Sequence, residues 1–189
     1  MYINYAHIKS ESSFDMSITY SRKEMTMAFR IIYLPPFTAV TSGVDPNFDF
    51  SPEGMLGKFD AYFSKIKPMP KDNFMPRDFL FFNKEKGGME WWYALSDGMP
   101  DGGYSKVNFD GGYYLTYAYK DGDEDENGRL YNEALKYIKN SGIFEFDERA
   151  GHYAMGHIIT PAEIIEAQGF AQMETMIPIK LKKSGKQTY

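Results

Sequence analysis

An acid residue stands directly before the only two tryptophans of the chain, in the stretch Gly87–Leu95 (GGMEWWYAL). Side chains of a strand alternate between its faces, so Glu90 and Trp92 share one face, opposite Met89, Trp91 and Tyr93. A carboxylate beside an indole suits recognition of a flat, apolar or cationic molecule. The same pattern also fits core aromatics with Glu90 at a solvated edge, since aromatic residues favour strands.

A second acid stands in a similar setting near the end of the chain, in Gln172–Leu181 (QMETMIPIKL). Glu174 and Met176 share a strand face as Glu90 and Trp92 do. Facing a pocket, Glu174 would be a counter-charge for a cation or a base with a raised pKa; facing water, it would only solubilise the strand. The parallel with Glu90 favours the pocket and suggests an internal duplication.

Other motifs give no sign of a metal, a cofactor or a catalytic triad. The acidic run at 123–128 opens like a calcium-binding EF-hand loop, but Ala134 stands where the closing acid belongs, so we predict a charged helix start. His152 and His157 are five residues apart, which places them on opposite sides of a strand. We therefore predict no metal site, no cofactor and no catalytic residue.

Composition narrows the class of partner. The 189 residues carry a net charge of −5, with a pI near 5.3, so direct binding to nucleic acid is not expected. Cysteine is absent, which excludes disulfides and thiolate chemistry. Without a signal peptide or an apolar run of membrane-spanning length, we expect a cytoplasmic protein with no membrane partner. Aromatic residues make up 17% of the chain and need a large core or a lined pocket.

The elements that position the two acids recur in the order strand, helix, hairpin. A loop at 97–103 separates the two copies. The first copy is predicted to contain a strand over 29–42 broken by two prolines, a helix from Ser51 to before Pro68, and a hairpin of 78–83 with 89–95. The second is predicted to contain a strand over 112–119, a helix over 130–138, and strand segments at 144–147, 151–156 and 173–181.

Several short motifs in this order resemble the GyrI-like effector-binding domain, found at the C-terminus of AraC-type transcription regulators and also free-standing in bacteria. The motifs that carry the resemblance are FRIIYLPPFTAV from Phe29, MEWWY from Met89, GGYY from Gly111, SG at Ser141, FDERAGHY from Phe146 and METMIPIK from Met173. The resemblance implies an α+β fold of tandem βαββ repeats with pseudo-twofold symmetry, one curved, mostly antiparallel sheet and two helices on one face.

The resemblance also implies a domain organisation. Residues 29–181 would form the effector-binding domain, with repeats of approximately 29–96 and 104–181. Residues 1–28 would be an extension without a DNA-binding motif, and 182–189 a tail. A role in transcription regulation would therefore need a separate partner that binds DNA.

For the site, the resemblance implies a multidrug-type cleft between the helices and the sheet. The family's pocket acid in the last strand corresponds to Glu174, and its aromatics to Tyr153 and Tyr114. Pseudo-symmetry adds Trp92 and Glu90 on the other half of the cleft, and Met176 shares the face of Glu174.

We accordingly expect a stand-alone binding protein, not an enzyme, that senses or sequesters apolar aromatic compounds, cationic ones included. Two alternatives stay open. One is a hydrolase that uses the same acid and aromatics on strained, cyclopropane-bearing genotoxic compounds. The other is a role in binding a protein partner or a second copy of the chain.

Overall fold

The computed structural model describes residues 29–67 and 76–183, which build one antiparallel sheet of nine strands. The α+β class and the antiparallel sheet predicted from the sequence are confirmed. The first half of the chain supplies β1 (Arg30–Leu34), β2 (Phe37–Asp45), β3 (Asp78–Asn83) and β4 (Gly88–Ala94). The second half supplies β5 (Ser105–Phe109), β6 (Gly112–Lys120), β7 (Phe144–Phe146), β8 (Met155–Ile158) and β9 (Gln172–Leu181).

The strand order repeats itself from the two ends of the sheet. It runs β1-β6-β9-β8-β3-β4-β2-β5, with β7 paired to β9. Exchanging β1 with β5, β6 with β2, β9 with β4 and β8 with β3 reverses this order, as a pseudo-twofold axis between β8 and β3 requires. Each half lends its first strand to the other, since β1 pairs with β6 and β5 with β2.

The strand order agrees with the predicted duplication. The repeat limits of 29–96 and 104–181 stay a prediction. The predicted extension at 1–28 lies outside the described residues, as does the tail beyond residue 183.

Helices α1 (Met55–Phe63) and α2 (Glu124–Asn140) pack on the same face of the sheet, which we call the helix face. Under α1 lie Val40, Trp91 and Tyr93, against the buried rings of Phe59 and Phe63. Under α2 lies a second cluster, which consists of Leu115, Tyr117, Ile177 and Ile179 with the helix residues Leu130, Ala134 and Ile138. A third, short helix, α3 (Ala162–Gln168), has no buried residue.

The two helix starts differ in how closely they follow the sequence signals. Helix α2 begins at Glu124, earlier than the predicted span of 130–138, because the acidic run at 123–128 is itself the charged helix start: the side chain of Asp123 accepts from Glu126 N at 3.0 Å, and three acids follow in the first turn. Helix α1 begins at Met55, not at Ser51, because residues 51–54 close a separate turn in which Gly54 N donates to Ser51 O at 2.9 Å. The helix ends at Phe63, and the predicted terminator Pro68 lies outside the described residues.

The opposite face of the sheet carries both acids, and we call it the acid face. Its core contains Leu34, Ala39, Phe79, Phe81, Trp92, Ala94, Phe109, Tyr114, Tyr153, Met155 and Met176. The predicted site residues do not lie between the helices and the sheet, as was expected, but on the opposite face. Because strand side chains alternate, Trp91 and Ile177 face the helices, and this directs Glu90, Trp92 and Met176 to the other side.

Candidate functional site: two buried carboxylates on the acid face

Glu90, on β4, is a buried carboxylate that is held by neutral donors. The residue as a whole is only 4% exposed to solvent. Oε1 accepts from Thr41 Oγ1 at 2.6 Å and from Trp92 Nε1 at 2.9 Å, and Oε2 accepts from Asn83 Nδ2 at 2.7 Å. Within the described ranges, no lysine, arginine or histidine pairs with it. Glu90 is therefore an acceptor group in the protein interior that lacks a counter-cation from the described part of the chain.

The turn before β4 fixes the position of Glu90. Asn83 accepts at Oδ1 from the backbone N–H groups of Glu85 and Lys86, at 3.1 and 3.0 Å, so one amide both closes the turn and reaches Glu90. Gly87 has a φ of +70°, which favours glycine. A Cβ on Gly88 would stand 2.6 Å from the carbonyl oxygen of Asp45, next to a register shift in β2. Glycine therefore lets β2 and β4 approach closely beside the acid.

Three aromatic rings lie next to Glu90. The rings of Phe81 and Tyr153 stack with centroids 4.5 Å apart and planes 7° apart, and Trp92 meets Phe81 edge-on at 4.8 Å. The hydroxyl of Tyr153 donates to Glu85 Oε2 at 3.0 Å. Burial, together with the charges of Glu85 and Glu90, raises the pKa of Tyr153 to about 12, so its hydroxyl stays protonated and remains a donor. Tyr153 thus covers the face of Phe81 and is tethered at its outer end.

Glu174, on β9, is equally buried but has a charged partner. The guanidinium of Arg30 donates to Oε1, and His157 Nε2 lies 3.1 Å from Oε2. Burial alone would raise the pKa of Glu174, but hydrogen bonds from His157 and Arg30 and the charge of Arg30 lower it to about 2. The expectation of a base with a raised pKa is therefore wrong. Glu174 already acts as the counter-charge of a cation of the chain itself, Arg30.

The two acids lie on one face but do not form a pair. Strands β8 and β3 stand between β9 and β4, so the strands that carry the acids are three strand spacings apart, roughly 14 Å along the sheet. The other four predicted site residues, Trp92, Tyr114, Tyr153 and Met176, belong to the single apolar cluster of the acid face. The structure thus brings the predicted aromatic residues together and places one acid in each half of the sheet.

Tyr114 contributes a buried hydroxyl with no hydrogen-bond partner in the described structure. Its residue is 0% exposed, and burial, followed by the charge of Asp147, raises its pKa. Two of the nearby charged groups, Asp147 and Arg149, belong to the segment after β7. There the buried Asp147 accepts from Arg149 Nε at 2.9 Å, and His152 Nε2 lies 3.1 Å from Gly111 O. This network anchors the segment that carries Tyr153.

Sequence reasoning missed four partners of the acids: Arg30, Thr41, Asn83 and His157. His157 was considered only as a metal ligand, yet it stands directly opposite Glu174 in the register of β8 with β9. Only strand pairing reveals this, since the two residues are 17 positions apart. The five-residue spacing of His152 and His157 does not place them on opposite sides of one strand, because His152 precedes β8 and is not part of it. No group of three metal-binding side chains occurs in the part of the chain that the structure describes.

Two surface cavities lie elsewhere. One, of about 460 Å³, is lined by residues 120–125 at the start of α2, and the other, of about 400 Å³, by residues 36–38, Asn108 and Phe109. The first is an open, polar depression around a turn, and neither includes Glu90 or Glu174. We place the candidate site at the acids because buried carboxylates against aromatic rings supply both charge and apolar surface.

Comparisons with known proteins identify a likeness in fold. No family model matches the chain, and no curated protein matches it. Among solved structures, an uncharacterized conserved protein from Listeria innocua is similar with a TM-score of 0.50 and 12% identity, over 80% of this chain and 92% of that one. A hydrolase from Listeria innocua matches with a TM-score of 0.48 and 12% identity, over 80% and 91%.

A third structure, that of SAV2435 bound to tetraphenylphosphonium, matches with a TM-score of 0.44 and 11% identity, over 80% and 93% of the two chains. At these identities the likeness concerns the fold alone. It is consistent with the GyrI-like fold that the sequence motifs resemble. Among the described residues, no helix has the length and apolar character needed to cross a membrane.

Proposed function

We propose that the protein binds flat, aromatic cations on the acid face, with Glu90 as the counter-charge and Trp92, Phe81 and Tyr153 as the stacking surface. The observation that carries the proposal is the environment of Glu90: a buried carboxylate with three neutral donors and three adjacent rings. A delocalised cation there gains the attraction of the carboxylate and the cation–π attraction of the rings. Sensing and sequestration of such compounds both follow from binding.

Entry of a ligand requires a side chain to move, because the acid face is filled by its own residues. Tyr153 is the best candidate, since it stacks on Phe81 as a planar ligand would and is tethered through its hydroxyl to Glu85. A ligand ring inserted between Phe81 and a displaced Tyr153 would stack on both rings, and each contact would contribute on the order of 1 kcal/mol. The ligand would add a positive charge beside Glu90.

Hydrolysis is a weaker proposal on this geometry. A general base works best when its pKa lies near the working pH, and Glu174 has a pKa of about 2. The two acids also lie on strands with two others between them, an arrangement that does not favour an acid–base pair on one small substrate. Product accumulating beyond one equivalent of protein would favour the hydrolase over the binder.

Tryptophan fluorescence tests where a ligand binds, because the two tryptophans face opposite sides of the sheet. The ligand is 10-methylacridinium, a planar aromatic cation. Trp91→Phe leaves Trp92 as the only tryptophan, on the acid face, and Trp92→Phe leaves Trp91, under α1. Binding is followed independently by the fluorescence anisotropy of the dye.

Saturable quenching of the Trp91→Phe protein by the dye, with little quenching of Trp92→Phe at equal occupancy, is the expected result. Stronger quenching of Trp91 at equal occupancy would place the dye on the helix face. Absence of saturable dye binding to the wild-type protein would contradict the proposal itself.

A further inference from the structure

The two halves of the acid face differ at several equivalent positions, among them one position on each edge strand. In the second half Arg30 pairs with Thr116, which pairs with Met176. In the first half Ser105 pairs with Thr41, which pairs with Trp92. The pseudo-twofold relation of the strands therefore makes Ser105 the counterpart of Arg30. One half has a long cationic side chain where the other has a hydroxymethyl group.

The side chain of Arg30 lies over the buried acid of its half. It is 65% exposed, whereas the side chain of Glu174 beneath it is 5% exposed, and a terminal nitrogen, Nη2, donates to Glu174 Oε1. The other oxygen is held by His157. Arg30 thus reaches from the edge strand β1 across β6 to β9 and shields the carboxylate from solvent.

We propose that Arg30 is a tethered cation that occupies the second of two equivalent cation sites, and that it limits the protein to one bound cation, at Glu90. Because the guanidinium of Arg30 occupies the site at Glu174, this site should accept a small planar guanidinium or a comparable organic cation when Arg30 is removed. Arg30 is then a residue that sets stoichiometry and specificity. The inference rests on the proposed function only in one respect, namely that the site at Glu90 binds a cation.

Removing the tethered cation should open the second site. Arg30→Ser reproduces the residue of the other half, and methylguanidinium is the probe, since it has the shape and charge of the missing group. Binding to the full-length chain is measured by isothermal titration calorimetry. We expect the variant to bind methylguanidinium at least tenfold more tightly than wild type, with one additional equivalent per chain.

Two further variants locate the gained site. Arg30→Ser with Glu174→Gln should lose the gained binding, and Arg30→Ser with Glu90→Gln should keep it. Arg129→Ser removes an arginine that pairs with exposed acids on α2, and it should bind like wild type. Where circular dichroism shows that Arg30→Ser is not folded, Arg30→Gln replaces it, because it keeps a polar group over the acid and removes the charge.

Unchanged stoichiometry in a folded Arg30 variant, or gained binding that persists without Glu174, would overturn the inference. The outcome is separate from the fate of the proposed function. A protein that bound no aromatic cation at Glu90 but gained a Glu174-dependent methylguanidinium site would support the inference and refute the proposed function.

Discussion

The indole of Trp92 donates a 2.9 Å hydrogen bond to the carboxylate of Glu90, two residues earlier on the same strand. The sequence alternation predicted a shared face, and the structure adds a direct bond. The same ring therefore supplies both a donor to the acid and an edge-on contact to Phe81. Charge and stacking surface are coupled in one pair of residues.

Replacing Trp92 with phenylalanine should destabilise the protein by about 2 kcal/mol, because a buried carboxylate loses one of its three donors. Trp91→Phe is the matched control, since Trp91 Nε1 is buried and has no hydrogen-bond partner among the described residues, so no such bond is lost. Urea unfolding measures both. A larger loss of stability in Trp91→Phe would contradict the role given to the Trp92–Glu90 bond.

Stability should depend on pH through Glu174. Its pKa is lowered from 4.5 to about 2 in the folded protein. It therefore stabilises the fold at pH above 4.5, and this contribution is lost as the pH falls towards 2. Allowing for solvent screening on the Arg30 side, the contribution is on the order of 1–2 kcal/mol.

Glu174→Gln removes the titrating group, so the difference in unfolding free energy between wild type and this variant should shrink between pH 4.5 and 2. Chemical unfolding at a series of pH values measures this difference. A constant difference over that range would show that Glu174 is not held in its ionised form by its partners.

Replacing Arg149 with methionine should cost about 2 kcal/mol, because it leaves Asp147, with a side chain only 1% exposed, without its cation. Arg149 hydrogen bonds also lower the pKa of Asp147 against the effect of burial. Arg129→Met, which breaks exposed pairs on α2, should cost less than about 1 kcal/mol. Equal losses of thermal stability in the two variants would argue against an anchoring role for Arg149.

The two glycines before β4 should respond differently to alanine. Gly87→Ala should cost about 1 kcal/mol from its φ of +70° alone, since nothing lies within 4 Å of the added Cβ. Gly88→Ala should cost roughly 2–3 kcal/mol, because its Cβ would meet the backbone of Asp45. Equal costs in urea unfolding would mean that β2 and β4 can move apart.

Local signals in the sequence were enough to predict most of the helices and strands and the class of fold. The acidic run at 123–128 predicted a charged start for α2, although the helix begins earlier than the predicted 130, and alternation placed Trp92 with Glu90 and Trp91 on the opposite face. Tyr153 and Tyr114, assigned through the family resemblance, lie in the same cluster as Trp92 and Met176.

Long-range pairing accounts for the rest. Arg30 and Glu174 are 144 residues apart, and their contact exists only because β1 joins the sheet of the other half. The sequence does not reveal this exchange of strands. It therefore does not show that Glu174 has an internal cation while Glu90 has neutral donors. The preference for Glu90 over Glu174 as the proposed counter-charge therefore rests on contacts that only the structure provides.

The most direct test of the account compares charge selectivity in wild type and Glu90→Gln. The Kd of 10-methylacridinium is measured by fluorescence titration against that of acridine, a neutral molecule of nearly the same shape at mildly alkaline pH. Glu133→Gln, an exposed acid on α2, is the control. We predict that wild type and the control prefer the cation by roughly tenfold or more, and that Glu90→Gln binds both dyes about equally. An unchanged preference for the cation in Glu90→Gln would contradict the account.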